Sequence, residues 1–376
     1  MSAIQLASII ISSYNYDSFV GKAIESALNQ TYPHTEIIVV DDGSTDNSRD
    51  IIAGYGDRIV PVLKDNGGQA SAFNAGFKIS RGQVVFFVDS DDMLLATTVE
   101  KAVHLFGDPE VVKVHWPLAV VDRDGRKTGR IIVSSPQQGD LREQVINAGP
   151  FGYTWPYTTG NAWSRRFIEQ VFPLPEREYR TSPDLYLCGL APLYGRVESL
   201  TTPQGLWRKH GDNSSYREPF EERLKVNLWR VECCLETLAG HCRKLNMAVD
   251  TSAWKAHSWW HQIDAAIQDM TALIPPGETL ILVDEDGWAT DPTLAGWRRV
   301  PFLERDGSYW GPPPEDATAI QELERLRRSG ASYIAFACQA FWWLDYYVEF
   351  NRYLRSKFRC LLENDRCIVF DLGQGK

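Results

Sequence analysis

An apolar run from Val84 to Val88 leads straight into Asp89-Ser90-Asp91-Asp92, and a buried strand that ends in three carboxylates is suited to holding a cation. Clustered Asp oxygens fit a hard divalent ion such as Mg²⁺ or Mn²⁺, and a diphosphate is the natural guest of such an ion. In open α/β sheets, ligands collect outside the carboxyl ends of the strands. Taken alone, a D-x-D pattern is short and equally compatible with a solvated acidic turn. A second acidic strand end changes the balance: Glu36 to Val40 reads as a strand that runs into Asp41-Asp42. If both strands are parallel members of one sheet, their acidic ends share an edge and form a single pocket.

The elements that must position these ends follow from periodicity. Ala7 to Ser12 is a continuous apolar strand, and Phe19, Val20, Ala23, Ile24, Ala27 and Leu28 then recur with helical period. Asp46 is placed to cap a helix reaching Ala53, Ile59 to Leu63 is a third strand, and Asn66-Gly67-Gly68 turns into a helix through Ala70, Phe73 and Phe77. Uniformly apolar strands joined by helical crossovers predict an α/β fold with a mostly parallel sheet covered on both faces. Thr97 to Glu100 reads as a capping box. Strands are expected at Val111 to His115 and Arg130 to Val133, among loops rich in Gly, Pro and aromatics. Leu224, Leu228, Val231, Leu235 and Leu238 make an amphipathic heptad stripe, which packs on its own domain or pairs with a second copy. After Pro275-Pro276-Gly277 the strand-helix rhythm returns, with strands at 279–283 and 333–337, a helix at 318–328, a Trp342-rich helix and a hairpin across Asn364-Asp365. Three segments are therefore expected: residues 1–215, a helical segment 216–274, and a small Rossmann-like α/β unit 275–376. Asp284-Glu285-Asp286-Gly287 in the last unit reads as a solvated acidic turn.

Composition narrows the function. At 376 residues the chain exceeds one ordinary core. A formal net charge of -10 argues against a nucleic-acid partner, which requires a basic field over the phosphates. Phosphate binding therefore falls to a metal and to backbone donors. The N-terminal stretch lacks the charged region of a secretory signal, and the apolar run Ile334 to Leu344 is too short to span a bilayer. Seven cysteines without metal-type spacing fit reduced thiols in a cytoplasmic protein. Peripheral membrane association stays open.

IIISSYNY, IIVVDDGSTDNS, NGGQASAFNAGF, RGQVVFFVDSDD, GNAWSRR, SPDLYL and RKHGDNSS occur in this order within the first 215 or so residues. In this order they resemble the family 2 glycosyltransferases, inverting enzymes of GT-A fold that serve polysaccharide biosynthesis. The resemblance implies a nucleotide-sugar donor, UDP-linked, and a saccharide or other hydroxyl acceptor. It assigns nucleotide contacts to Ser12, Tyr14, Asp41, Asp42, Gln69, Asn74 and Ser90. Asp91 becomes the foremost metal ligand, with Asp89, Asp92 and His210 beside it and Mn²⁺ or Mg²⁺ as the ion. Gly160 and Asn161, with Trp155 and Tyr153 from the aromatic loop, fall to the donor or acceptor sugar, and Arg208 or Lys209 to the diphosphate. Asp184 occupies the position of the general base, where the family usually carries an acidic pair; here Pro183 replaces the first acid. One carboxylate suffices for single displacement, because the leaving diphosphate is stabilised by the metal.

Two other readings remain open. A sugar-phosphate nucleotidyltransferase is expected to carry a Gly-rich, Arg-bearing loop after its first strand, which Ser12-Ser13-Tyr14-Asn15 lacks. A non-catalytic nucleotide-sugar-binding module is compatible with the loss of the acid at Pro183. A nicotinamide or methyl-donor enzyme fails, since Gly54-Tyr55-Gly56 precedes its strand instead of following one. The unit after Pro275 has no recognisable cofactor loop; its Trp342, Trp343, Tyr346 and Tyr347 read as core or as a docking face for a partner or a second copy.

Overall fold

The structure, a computed structural model, describes residues 5–210, 219–285, 287–288 and 293–375. They fall into two compact units: unit 1 within 1–213 and 230–257, unit 2 within 214–229 and 258–376.

Unit 1 contains the strands β1 (Ala7–Ser13), β2 (Thr35–Asp42), β3 (Val60–Lys64), β4 (Val84–Asp89), β5 (Met93–Leu94), β6 (Val111–His115), β7 (Leu118–Val121), β8 (Lys127–Ile132), β9 (Asn161–Ser164), β10 (Arg196–Ser199) and β11 (Gly205–Arg208). Its helices are α1 (Asp17–Leu28), α2 (Ser48–Ala53), α3 (Gln69–Ile79), α4 (Thr98–Leu105), α5 (Arg142–Ala148), α6 (Arg165–Val171) and α7 (Asp184–Tyr194). Seven strands form the main sheet in the order β10-β6-β9-β4-β1-β2-β3. Only β9 runs against the others, pairing antiparallel with both β4 and β6, so the mostly parallel α/β sheet expected from the alternation is present. The continuous apolar reading of β1 and β4 has its cause in burial on both faces: Ile9, Ile10, Ile11, Phe86 and Phe87 are all buried. The apolar face of α1 (Phe19, Val20, Ala23, Ile24, Ala27) is buried as its period predicts.

Register decides where the acidic ends meet. β1 lies between β2 and β4, with Ser13 opposite Asp41 and Ser12 opposite Asp89. Two strand spacings, ~10 Å, separate the two acidic ends on one sheet edge. A second, four-stranded sheet, β5-β11-β7-β8, sets β11 antiparallel to β5, directly after Asp92. The capping box at Thr97 does not form, because Thr97 makes no side-chain capping bond. The Val99 N–H is taken instead by Gln30 Oε1 at 3.1 Å, and Glu100 accepts from Thr31 Oγ1 at 2.7 Å. A distant glutamine supplies what the local motif was read to supply.

The long helix α8 (Phe220–Lys244) contributes its first ten residues to unit 2 and the remainder to unit 1, and α9 (Trp259–Thr271) belongs to unit 2. Residues 216–274 are thus distributed between two cores, and the 215/216 boundary lies outside the described residues. The heptad stripe is spent inside the chain: Leu224 joins the core of unit 2, and Val231, Leu235 and Leu238 are buried in unit 1.

Unit 2 continues with β12 (Thr279–Val283), β13 (Thr293–Leu294), β14 (Trp297–Pro301), β15 (Glu304–Arg305), β16 (Ser308–Tyr309), α10 (Asp316–Arg328), β17 (Tyr333–Ala337), α11 (Trp342–Tyr346), α12 (Val348–Lys357), β18 (Phe358–Glu363) and β19 (Cys367–Gly375). Its sheet order is β13-β14-β12-β17-β19-β18, parallel from β14 through β17. In the acidic turn after β12, Asp284 is not solvated, contrary to expectation, while Glu285 stays exposed. Asp284 is buried, pairs with Arg299 at 3.2 Å and accepts from the Trp288 N–H, while Glu285 accepts from the indoles of Trp342 and Trp343 at 2.9 Å each. Asp284 reads as solvated until a distant guanidinium meets it. Asp286 lies outside the described residues. Trp343 and Tyr347 are core, whereas Trp342 and Tyr346 are exposed. All seven cysteines are free thiols, and no helix among the described residues is long and apolar enough to cross a membrane.

The turn after β2 makes a testable demand. Gly43 has φ +84°, and a Cβ there would stand 2.6 Å from the backbone nitrogen of Asn66, whereas Gly56, at φ +55°, has open space around it. Gly56→Ala is expected to cost only the left-handed penalty of about 1–2 kcal/mol. Gly43→Ala adds a backbone clash, so calorimetry should show a distinctly larger loss in the unit 1 transition; equal losses would mean that the turn yields.

Candidate active site

At the end of β2 the two acids are engaged differently. Asp42 is buried and fully occupied: Oδ1 accepts from Lys64 Nζ at 2.6 Å and from Gly67 N–H at 3.0 Å, and Oδ2 accepts from Gly68 N–H at 2.7 Å. It therefore anchors the Asn66–Gly68 turn that launches α3. Arg180 closes the same turn from the far loop, donating to Gly67 O at 3.1 Å and to Asn66 Oδ1. Asp41 Oδ1 accepts from Arg49 Nε at 2.7 Å and Ser44 N–H at 3.0 Å, while its Oδ2 is buried without a hydrogen-bond partner among the described residues.

At the end of β4, Ser90 N–H donates to Ser12 O at 3.2 Å, tying this turn to β1. Asp92 is buried and its Oδ1 accepts from the Arg208 N–H at 2.9 Å. The fully buried Arg208 guanidinium donates to Asp91 O, Asp122 O and Arg123 O. It shapes the acidic turn through its backbone, which is a different task from the diphosphate contact expected of it; Lys209 is exposed. His210 Nε2 lies 3.0 Å from Asp91 Oδ2, with its ring held against Phe19 and Tyr16. The remaining motif residues, Gly211 to Ser215, lie outside the described residues. Ser13 Oγ, Asp41 Oδ2, Ser90 Oγ and Asp92 Oδ2 are all buried with no hydrogen-bond partner among the described residues. Orphaned buried polar atoms are rare in proteins, and four at the same edge of three neighbouring strands mark a place shaped for a polar guest.

Gln69 joins this edge to the Asp184 loop. Its Nε2 donates to Asp89 Oδ1 at 2.5 Å and its Oε1 accepts from Ser182 N–H at 3.1 Å. Its own N–H donates to Arg180 O at 2.7 Å. Ser182 is held at φ +58° and Asn15 at φ +55°, conformations that non-glycine residues seldom adopt and that cluster at functional sites. Asp184 sits in the first turn of α7, after Pro183. Burial raises its carboxyl to about 6, against the pull of its helix N–H groups and of the Lys113 and Arg230 cations. Asp89 is pushed well above the carboxylate range by its low-dielectric setting and then by the charges of Asp91 and Asp184. Asp92 is pushed up by burial and by Asp91 and Asp89.

Other expected residues are placed differently. The Asn74 amide is committed to Leu174 O, Leu174 N–H and Glu176. Asn161 Nδ2 donates to the carbonyls of Pro156, Tyr157 and Thr158, and Gly160 packs so closely on Pro156 that a Cβ would fall 2.5 Å from its side chain. Tyr153 is buried and donates to Cys188 O at 2.7 Å, while Trp155 is half-buried against Phe151 and Tyr153. Tyr14 is about half exposed beside the acidic edge.

Residues 8–171 match the family model described as Glycosyl transferase family 2. Unit 1 carries a family 2 glycosyltransferase domain. An uncharacterized glycosyltransferase of Nostoc sp. is 35% identical over 212 residues, covering 55% of this chain and 66% of the relative. The Escherichia coli UDP-Glc:alpha-D-GlcNAc-diphosphoundecaprenol beta-1,3-glucosyltransferase WfaP is 38% identical over 136 residues, 36% of this chain and 53% of that enzyme. Among solved structures, S. aureus TarS 1-349 in complex with UDP-GlcNAc aligns with a TM-score of 0.49 and 20% identity, covering 67% of this chain and 70% of TarS. The chain thus spans between about half and two thirds of the length of these curated relatives.

The family 2 domain does not contain a ready-made metal cage: among the described residues no group of three or more His, Cys, Asp or Glu side chains is placed to hold one ion. Of the four expected ligands, Asp91 and His210 lie 3.0 Å apart, Oδ2 to Nε2. Two adjacent ligands each ~2.1 Å from an octahedral ion stand ~3 Å apart, the separation seen here. Mg²⁺-type ions at phosphate sites typically take only one or two protein ligands and complete their shell with phosphate oxygens and water, so the residues fit such an ion. The cations Arg49, Lys64, Arg180 and Lys113 escaped the sequence reading. Lys113 alone left a signal there, as a charged residue in the middle of the strand Val111 to His115.

Asp42→Asn sets an amide NH₂ against donors that now meet an oxygen. We expect a loss of about 1–3 kcal/mol from the unpaired contacts, read as a lower unfolding temperature of unit 1. An unchanged transition would remove Asp42 from the support of the Asn66–Gly68 turn.

Proposed function

We propose that the protein transfers a sugar from a nucleotide-diphosphate donor, UDP-linked, to a hydroxyl of a saccharide or another acceptor, with inversion, with Mn²⁺ or Mg²⁺ as cofactor and with Asp184 as general base. The observation that carries the reading is Gln69, which ties Asp89, beside Asp91 in the family 2 region 8–171, to the Ser182–Asp184 loop. A uridine donor is supported by the UDP-Glc donor in the name of the E. coli relative and by Asp41 Oδ2, which has no hydrogen-bond partner among the described residues and is an acceptor that an imide N–H would satisfy.

In this reading, Asp91 and His210 would hold the ion, which would supply charge stabilisation to the leaving diphosphate. Arg208 fixes the backbone of the acidic turn, and Gln69 holds Asp89 and the Ser182 N–H in one arrangement. Asp184 accepts the acceptor hydroxyl's proton as that oxygen attacks. A carboxyl raised to about 6 is anionic at neutral pH and is a stronger proton acceptor than an ordinary carboxylate.

Nucleotide release is to be followed from a panel of nucleotide sugars with Mn²⁺, with and without acceptors. Tight nucleotide binding without turnover of any donor would point instead to a binding module. The sign of the pH dependence follows from the base: below about 6 Asp184 is protonated and cannot accept a proton, so kcat/KM should fall on the acid side with a midpoint near 6. Asp184→Asn is expected to lower transfer by at least ~10²-fold with donor affinity nearly intact; a normal rate would exclude it as the base. Asp91→Ala should weaken UDP binding in Mn²⁺ by roughly tenfold or more and leave binding in EDTA unchanged; equal affinities in Mn²⁺ would exclude coordination.

A further inference from the structure

Lys113 lies in the middle of β6 and is fully buried. Its ammonium donates to Tyr153 Oη at 3.1 Å and Cys188 Sγ at 3.3 Å. Around it stand the rings of Tyr153, Trp163 and Trp155, with centroids at 4.9, 5.4 and 5.9 Å. Aromatic faces stabilise a cation, yet a buried charge without a counter-charge is expensive. Both contacting groups are neutral, since burial pushes the Cys188 thiol up to about 12 and the Tyr153 phenol well above its usual value. Cys188 lies one turn beyond Asp184 on α7, and side chains four apart on a helix are neighbours, with Cβ atoms ~5–6 Å apart. The carboxylate acting on this ammonium is therefore that of Asp184.

We infer that Lys113 is a positioning residue of the reaction: its buried, aromatic-caged ammonium is the counter-charge that keeps the Asp184 carboxylate ionised and ready to accept a proton. This rests on Asp184 being the base. Other groups face Asp184 as well. Arg230 from α8 adds a partly buried cation, and Asp89 from the end of β4 adds a carboxyl. Cys188 on α7 and Cys234 on α8 are neutral thiols, both raised to about 12. Of the two cations, Lys113 is fully shielded from solvent, so its field at Asp184 is the less screened.

The test uses the full chain and separates the pair from the reaction. Lys113→Met keeps the apolar stem and removes the charge. In UDP release from UDP-glucose with Mn²⁺, the acid limb of kcat/KM should move to higher pH by about one unit while UDP affinity stays within twofold. An unmoved acid limb with a uniform loss of rate would reduce Lys113 to packing and overturn the inference. Stability provides a second readout that needs no turnover. Asp184→Asn strands the buried ammonium and should lower Tm, and Lys113→Met in that background should recover most of the loss. Simple additivity of the two changes would overturn the inference whether or not any donor reacts. Coupled stabilities without turnover of any nucleotide sugar would keep the pair and reject the glycosyl-transfer reading.

Discussion

Electrostatic crowding at one edge of a parallel sheet is the constraint on which the rest of unit 1 depends. Asp41, Asp42, Asp89, Asp91, Asp92 and Asp184 converge there because β1 lies between β2 and β4 in register and because α3 and α7 begin at the same edge. Like charges drawn together in a low dielectric oppose folding. The structure answers each carboxylate with its own donor or cation: Arg49 for Asp41, Lys64 for Asp42, Gln69 for Asp89, His210 for Asp91, the Arg208 N–H for Asp92, and Lys113 with Arg230 for Asp184. The compensation is incomplete, since Asp41 Oδ2 and Asp92 Oδ2 keep no partner among the described residues and Asp89 and Asp92 are pushed above the ordinary carboxylate range. The edge is left short of positive charge and of hydrogen-bond donors.

This division of labour separates residues that shape the site from residues available to a ligand. Asp42, Arg208, Asn74 and Asn161 have their polar atoms spent on turns, and their value lies in fixing backbone. Ser13, Asp41, Ser90 and Asp92 each keep a buried polar atom with no hydrogen-bond partner among the described residues. The strained backbones at Asn15 and Ser182 are held by Thr45 and Gln69 respectively. Strain of this kind persists only where surrounding hydrogen bonds over-determine it.

Unit 2 follows the same topological rule with a different result. At its acidic strand end Asp284 is paired internally with Arg299, and the exposed Glu285 accepts from two indole N–H groups. A buried ion pair there holds β12 to β14, whereas the acidic edge of unit 1 keeps Asp41 Oδ2 and Asp92 Oδ2 without a hydrogen-bond partner among the described residues.

The sequence by itself determined the elements and the sheet edge. Apolar runs of strand length, helical period after each, and the acids at Asp41-Asp42 and Asp89-Asp92 were legible because burial on both faces leaves no alternative reading of such runs. Tertiary structure alone decided which polar groups those acids would meet. Lys113 reads as one charge in a strand until α7 brings Cys188 and Asp184 over it, and Arg208 reads as a phosphate ligand until β11 folds beside β5 and turns it inward. The Thr97 capping box failed for the same reason, displaced by Gln30 from another helix end. Local pattern fixes where a side chain sits along the chain, but its partner is set by contacts between residues tens to more than a hundred positions apart, and single-sequence periodicity carries no record of those.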